Sequence, residues 1–254
     1  MRSRSLLIVA VAVAIVAAGA AAAIWFTGRD TPDAVDIERA IADVTTAPAA
    51  PSGTDGAAEA DASVTAEPAP ITDATGTWTV DTEVVAFDTA TGAGTWVGYR
   101  IDEELSGIGA YTAVGRSPRV EGEVVIDGGR VLEAVIRADL QGLVSDNGNR
   151  DSRVRPLFAD RPVVFALSGP VDFGGVPEEG QRVAVTALGT LRIGAIEREV
   201  SVELSADVAG SRLVVTGSTI VVLADFDIAV PSAPVVLSVS DEATIELQIY
   251  FSQG

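Results

Sequence analysis

The sequence predicts an all-β, antiparallel fold of roughly eight to nine strands, a barrel or a sandwich. Three observations predict it: dense period-2 alternation from Gly76 to Gly254, turn signals between the alternating runs, and a single polar interruption. Along Val200-Ser201-Val202-Glu203-Leu204-Ser205-Ala206-Asp207-Val208, apolar and polar residues alternate without a miss. Thr244-Ile245-Glu246-Leu247-Gln248-Ile249 does the same, and Leu132 to Leu140 does so apart from Val135. In Val183 to Gly189 one face is wholly small or apolar. Such runs are strands with one buried and one wet face. Asp127-Gly128-Gly129, Asp172-Phe173-Gly174-Gly175 and Ala209-Gly210-Ser211 separate them as turns.

The interruption is Ser145 to Phe158, which is polar and lacks alternation. Ser145 or Asp146 is the expected cap of one short helix there, limited by Pro156. Ahead of the β-rich domain (residues 76–254) lie two other regions. Residues 31–75 are rich in Ala, Pro, Asp, Thr and Gly, and Pro48, Pro51, Pro68 and Pro70 break any pattern. They read as a disordered acidic linker with room for a short helix over Asp36–Val44. Residues 1–30 form an N-terminal membrane anchor or signal. Arg2 and Arg4 precede an uncharged run from Leu6 to Phe26, about the 20 residues needed to span a bilayer. Cleavage among Gly19–Ala23 would leave Ile24-Trp25-Phe26 as an apolar new terminus, so we favour the uncleaved anchor over a secreted form. Either way, residues 76–254 are expected outside the cytoplasm and able to fold alone.

Composition limits the chemistry. The 254 residues carry 36 acidic and 17 basic side chains, a formal charge of -19, with every basic residue an arginine. That balance repels nucleic acid. With no Cys, His or Lys there is no thiol nucleophile, imidazole base, thiolate metal site or Schiff-base amine. Ile101-Asp102-Glu103-Glu104 and Asp241-Glu242 offer paired acids for a tethered carboxylate-dependent hydrolase. In a chain this acidic, such pairs arise by chance. No Asp-x-Asp-x-Asp-Gly calcium loop is present. We therefore expect neither an enzyme nor a cofactor or metal.

The order of motifs resembles YceI-like domains over about 70% of the chain, from Gly76 onward. Gly76-Thr77-Trp78-Thr79-Val80-Asp81 is similar to their opening strand. Ser145, Asn149-Arg150-Asp151, Phe158 and Pro162-Val163-Val164-Phe165 resemble their central segment. Gly189 to Val200 resembles their hairpin, with Arg192 and Glu197 in place of threonines and Gly194-Ala195 at the turn. Asp225-Phe226-Asp227-Ile228 with Pro231 resembles a late Asp-Phe-Gly-Ile segment, Asp227 replacing the glycine. Thr95 to Arg100 with Ala113 to Arg116 looks like a membrane-anchored branch. The resemblance implies a lipocalin-like barrel of about eight strands with one short helix. Its lumen would hold an isoprenoid lipid, a polyprenyl or quinone-type chain.

On the alternation rule the apolar parity faces inward. Val124, Ile126, Leu132, Ile136, Val183, Val185, Val202, Leu204, Ile245 and Leu247 are thus the predicted lipid-binding residues. Trp78, Trp96, Tyr99 and Phe165 are candidates for the lumen wall or for ordinary core. Arg150-Asp151, with Arg153 and Arg155, is either a headgroup site or a helix start with solvated charges. A lipid carrier, a tethered hydrolase and a ligand-free structural β-domain with a filled core remain the three readings.

Overall fold

The computed structural model describes residues 31–46, 73–175, 181–230 and 233–254. Leu6–Phe26, most of the linker after Thr46 and Pro231 lie outside the described residues. The chain opens with α1 (Ile37–Thr46), followed by β1 (Gly76–Asp81), β2 (Trp96–Leu105), β3 (Gly109–Ser117), β4 (Val120–Asp127) and β5 (Arg130–Ala138). Then come β6 (Val144–Ser145), α2 (Gly148–Val154), β7 (Val163–Leu167), β8 (Val171–Asp172), β9 (Val183–Ile193) and β10 (Ile196–Ala209). The chain ends with β11 (Arg212–Val222), β12 (Val236–Val239) and β13 (Glu242–Gln253).

Eight strands close a ring in the order β1-β4-β5-β7-β9-β10-β11-β13, because β13 pairs back onto β1. The barrel reading is therefore correct and the sandwich is excluded. β13 is shared along its length. Thr244–Gln248 pair with β2, and Tyr250–Gln253 pair with β1. β2 carries β3 and β12 beyond it, and β3 carries β6. Every pairing among the described residues is antiparallel, so each hairpin can alternate inward and outward residues.

Two departures from the expected motif find their reasons in the backbone. The turn from Ile193 to Ile196 has only two residues, and Gly194 supplies the positive φ of 63°. That leaves Ala195 free to be any residue, since a two-residue turn of this kind needs glycine only at its first position. Asp227 closes the 3-10 turn Leu223–Phe226 with φ 53°. It occupies a glycine-like conformation that Asp tolerates better than most side chains.

The linker expectation needs correcting at its start. Residues 31–46 are ordered against the outside of the barrel and form a strap. Thr31 donates to the Thr112 carbonyl, Arg100 donates to Pro32 O at 2.9 Å, and Arg116 donates to Asp33 O at 2.8 Å. Val35 N–H donates to Glu246 Oε1 at 3.2 Å. α1 then buries Ile37 and Ala40 against Ala209, Val214 and Tyr250, and the Tyr250 hydroxyl donates to Ala40 O. The packed unit thus starts near Thr31 and not at Gly76. This second, outer core exists because Ile37, Ala40, Ile41 and Val44 fall on one helical face.

Gly98 on β2 marks how tightly the outer layer is built. A Cβ there would sit 2.3 Å from the Gly115 carbonyl oxygen on β3. Backbone must move to admit it, so Gly98→Ala should cost about 1–3 kcal/mol. Denaturant unfolding of the purified variant measures this directly, and an unchanged midpoint would show that β2 and β3 can part freely.

Candidate functional site

The inner faces of the strands enclose an elongated lumen in two adjoining parts. The deeper part, about 190 Å³, is lined by aliphatic and phenyl groups, with Thr219 the sole hydroxyl-bearing side chain. The part nearer the mouth is larger, about 710 Å³. Val97, Val163, Leu191 and Ile245 line both, so the two parts adjoin. The side chains facing in are short, chiefly Val, Ala, Leu and Ile, so they leave the axis unfilled. A filled core is therefore not what this barrel has. Water in the deep part would lack hydrogen-bond partners, which favours a dry space or an apolar guest.

Nine of the ten predicted lumen residues line the deep part: Val124, Ile126, Ile136, Val183, Val185, Val202, Leu204, Ile245 and Leu247. Leu132 does not; it is 37% exposed and points outward. A β-bulge explains the miss. Val125 pairs with Glu133 but Ile126 pairs with Val131, so one residue of β5 is skipped. The extra residue flips the parity, and Val131 takes the inward place that unbroken alternation assigns to Leu132.

Of the aromatics, Phe165 lines the deep lumen and Tyr99 the mouth. Trp78 is buried in the main core, its indole donating to Ala74 O at 2.8 Å. Trp96 lies outside the barrel, on the parity opposite to Val97. Its indole donates to Gly92 O, and the Arg116 guanidinium sits 4.3 Å from its ring centroid. Its covers are close in the chain, the Gly92 turn four residues earlier and Arg116 on the paired strand β3, and alternation alone does not show that they fold over this face.

The mouth holds a compact polar cluster. Arg150 Nη1 lies 2.6 Å from Asp146 Oδ1, and its Nη2 lies 3.6 Å from Glu103 Oε2. The same guanidinium sits 5.5 Å from the Tyr111 ring centroid, and Tyr111 donates to Asp146 Oδ2 at 2.8 Å. Burial pushes the Glu103 carboxyl up, against the pull of Arg150. Burial opposes the charge on Arg150, but Glu103 and Asp146 outweigh it and hold the guanidinium ionised more firmly than usual. Tyr99 is pushed well above the phenol range by burial. Arg150 is thus already matched by two carboxylates, and Arg153 is a second guanidinium lining the mouth. Glu103, one of the candidate catalytic acids, is held in that ion pair.

Asp151 turns away from the lumen. Asn147, and neither Ser145 nor Asp146, caps α2, its side chain accepting from Asn149 N and Arg150 N. Asp151 is buried and accepts from Ser145 Oγ at 2.6 Å and from Ser145 N at 3.3 Å, with Arg155 Nη2 at 3.4 Å. Its role is a tie between β6 and α2, stronger than a simple charge at a helix start. Asp151→Ala should therefore cost about 1–3 kcal/mol, the range for stranding buried hydrogen-bond partners. Wild-type melting of the variant would show that this tie carries no stability.

No family model matches the chain, and no curated protein matches it. Solved structures do match. A polyisoprenoid binding domain from Saccharophagus degradans, implicated in plant cell wall breakdown, superposes with a TM-score of 0.50 at 13% identity. The match covers 70% of this chain and 98% of that one. The fold is YceI-like. Burkholderia cenocepacia BcnA is also similar, with a TM-score of 0.47 and 14% identity, over 61% of this chain and 95% of its own. The YceI-like barrel here keeps the eight strands and the short helix expected from the motifs. Among the described residues no helix is long and apolar enough to cross a membrane, and Leu6–Phe26 lies outside them.

Proposed function

We propose that this protein binds an isoprenoid lipid, of polyprenyl or quinone type, in the lumen of its barrel. In this reading it works outside the cytoplasm, held to the membrane by the span Leu6–Phe26. The observation that carries the proposal is the lumen itself, an apolar tube with an unfilled axis and a polar mouth. A long, thin, methyl-branched chain suits such a space, and a headgroup can stop at Tyr99, Glu103 and Arg150. The Saccharophagus degradans domain of the same fold is described as polyisoprenoid binding, which supports the same reading.

Energetics point to carriage or sequestration. Each buried CH₂ contributes about 0.8 kcal/mol relative to water. Over tens of carbons that sum exceeds the practical ceiling of about 20 kcal/mol for any affinity. The relevant reference is the bilayer, where the tail is already dry. Transfer from bilayer to lumen is close to balanced, so loading and release both stay feasible.

Organic extraction of the purified full-length chain, followed by mass spectrometry, tests the proposal. A polyprenyl or quinone-type lipid near one per chain is expected. A lumen that is empty, even after incubation with such lipids, would leave a ligand-free structural domain as the reading. Turnover of a glycoside that is abolished by Glu103→Gln would favour the hydrolase.

A further inference from the structure

The strap gives the barrel a direction. Thr31 contacts Thr112, which pairs with Asp102 toward the mouth end of β2 and β3. From there the strap descends past Arg100 and Glu246, and α1 reaches Ala209 and Arg182 at the opposite end. The chain therefore arrives at the barrel on the mouth side. Only five residue steps separate Phe26 from Thr31, a reach of at most about 18 Å. Along the strands, Thr112 is three residues from Gly109 at the rim, roughly 10 Å away. The far turn lies level with the Arg212–Ser252 pair, about ten residues of strand in the other direction, roughly 33 Å. A span ending at Phe26 can bring the mouth to a bilayer surface, but the far end is beyond its reach.

The rim has the surface for that contact. Residues 228–240, between Asp227 and Asp241, carry no charge in a chain whose net charge is -19. Leu237 is 65% exposed, and Val230 and Val235 are exposed as well. Val230 and Val235 also line the mouth of the lumen, so outer apolar surface and inner wall are continuous. Exposed acids border the uncharged run at Asp102, Glu104, Asp227 and Asp241, and the far end shows Asp127, Arg130 and Asp172 to solvent.

We propose that the mouth rim, centred on Val230, Val235 and Leu237, docks on the lipid bilayer and opens the lumen directly to it. This rests on reading Leu6–Phe26 as a membrane span. A tail leaving the bilayer then enters the lumen along hydrocarbon and crosses no polar surface. The acidic chain surface makes an uncharged or zwitterionic leaflet the better partner.

The absence of Cys gives a clean test. Full-length Leu237→Cys and Asp127→Cys variants, each carrying a bimane label, are reconstituted into phosphatidylcholine vesicles containing a nitroxide lipid. Both should float with the vesicles, and the Leu237 site should be quenched several-fold more than the Asp127 site. Flotation with equal quenching at both sites would overturn rim docking and leave the anchor intact. Failure to float would remove the span, and the docking proposal with it. As a second variant, Val235→Asp with Leu237→Asp should still float but load lipid from vesicles more slowly. Unchanged loading would count against the rim as the route, whatever the extraction experiment shows about the guest.

Discussion

Val185→Trp should fold and lose most of its lipid. Val185 lines the deep lumen on β9, opposite Leu204 of β10, and both point at the unfilled axis. An indole there takes the space that the guest's tail needs. The added volume costs about 1–3 kcal/mol of stability, and partial filling of the empty axis offsets some of this. Extracted lipid per chain should fall at least about tenfold, which needs only about 1.4 kcal/mol of lost binding. Glu203→Gln is the matched control. Glu203 is exposed on the opposite parity and bonds Thr186, so lipid content should not change. A folded Val185→Trp that still copurifies with full lipid would put the guest elsewhere.

Starting the chain at Gly76 should weaken the barrel without abolishing it. The strap covers Val214 and Tyr250, and its removal exposes both. It also strips Asp33 O from Arg116 and the Val35 N–H from Glu246. Those two charges sit in a layer where Arg116 Nε and Glu246 Oε2 have no hydrogen-bond partner among the described residues. Burial pulls the Arg116 ionisation down, against the support of Glu246. Uncovered, those charges regain water, so the loss is chiefly the apolar burial of α1 on Val214 and Tyr250 together with the hydrogen bonds, about 3–5 kcal/mol. For a domain of this size that lowers the melting temperature on the order of 10 °C. Circular dichroism should retain its β signature while the thermal midpoint drops relative to a chain starting at Thr31. Identical midpoints would mean that the strap adds nothing to the folded unit.

The barrel was legible because inward alternation is written into each strand separately. Val183, Val185, Val202, Leu204, Ile245 and Leu247 need only their own neighbours to be assigned. Local breaks in that rule were not legible. Leu132 falls at a bulge set by the pairing of two strands, and no residue in β5 announces it. The outer face misled for a different reason. Glu246 and Gln248 alternate with Ile245 and Leu247 as a wet face should, yet they are 3% and 2% exposed. The strap, and the loop through Gly92 and Gly94 that accepts from Gln248, cover them from far away in the chain. Helix α1 was foreseeable from its own residues over Asp36–Val44, but its docking was not. Polar residues bound for solvent and polar residues bound for a buried network look alike in one dimension. The mouth cluster shows the same limit, since Arg150 meets Glu103 only after the barrel closes.

The ring of strands is also uneven in its grip. β11 and β13 are laced together through eleven positions, and the strap braces that side from outside. Across the lumen, β7 is a short stave, tied to β5 at four positions and to β9 at five. β1 is held as lightly, by four positions to β13 and four to β4. A hoop yields first at its weak staves, so guests of different girth would be accommodated by give around Val163–Leu167 and Gly76–Asp81, while the β11–β13 seam keeps its shape.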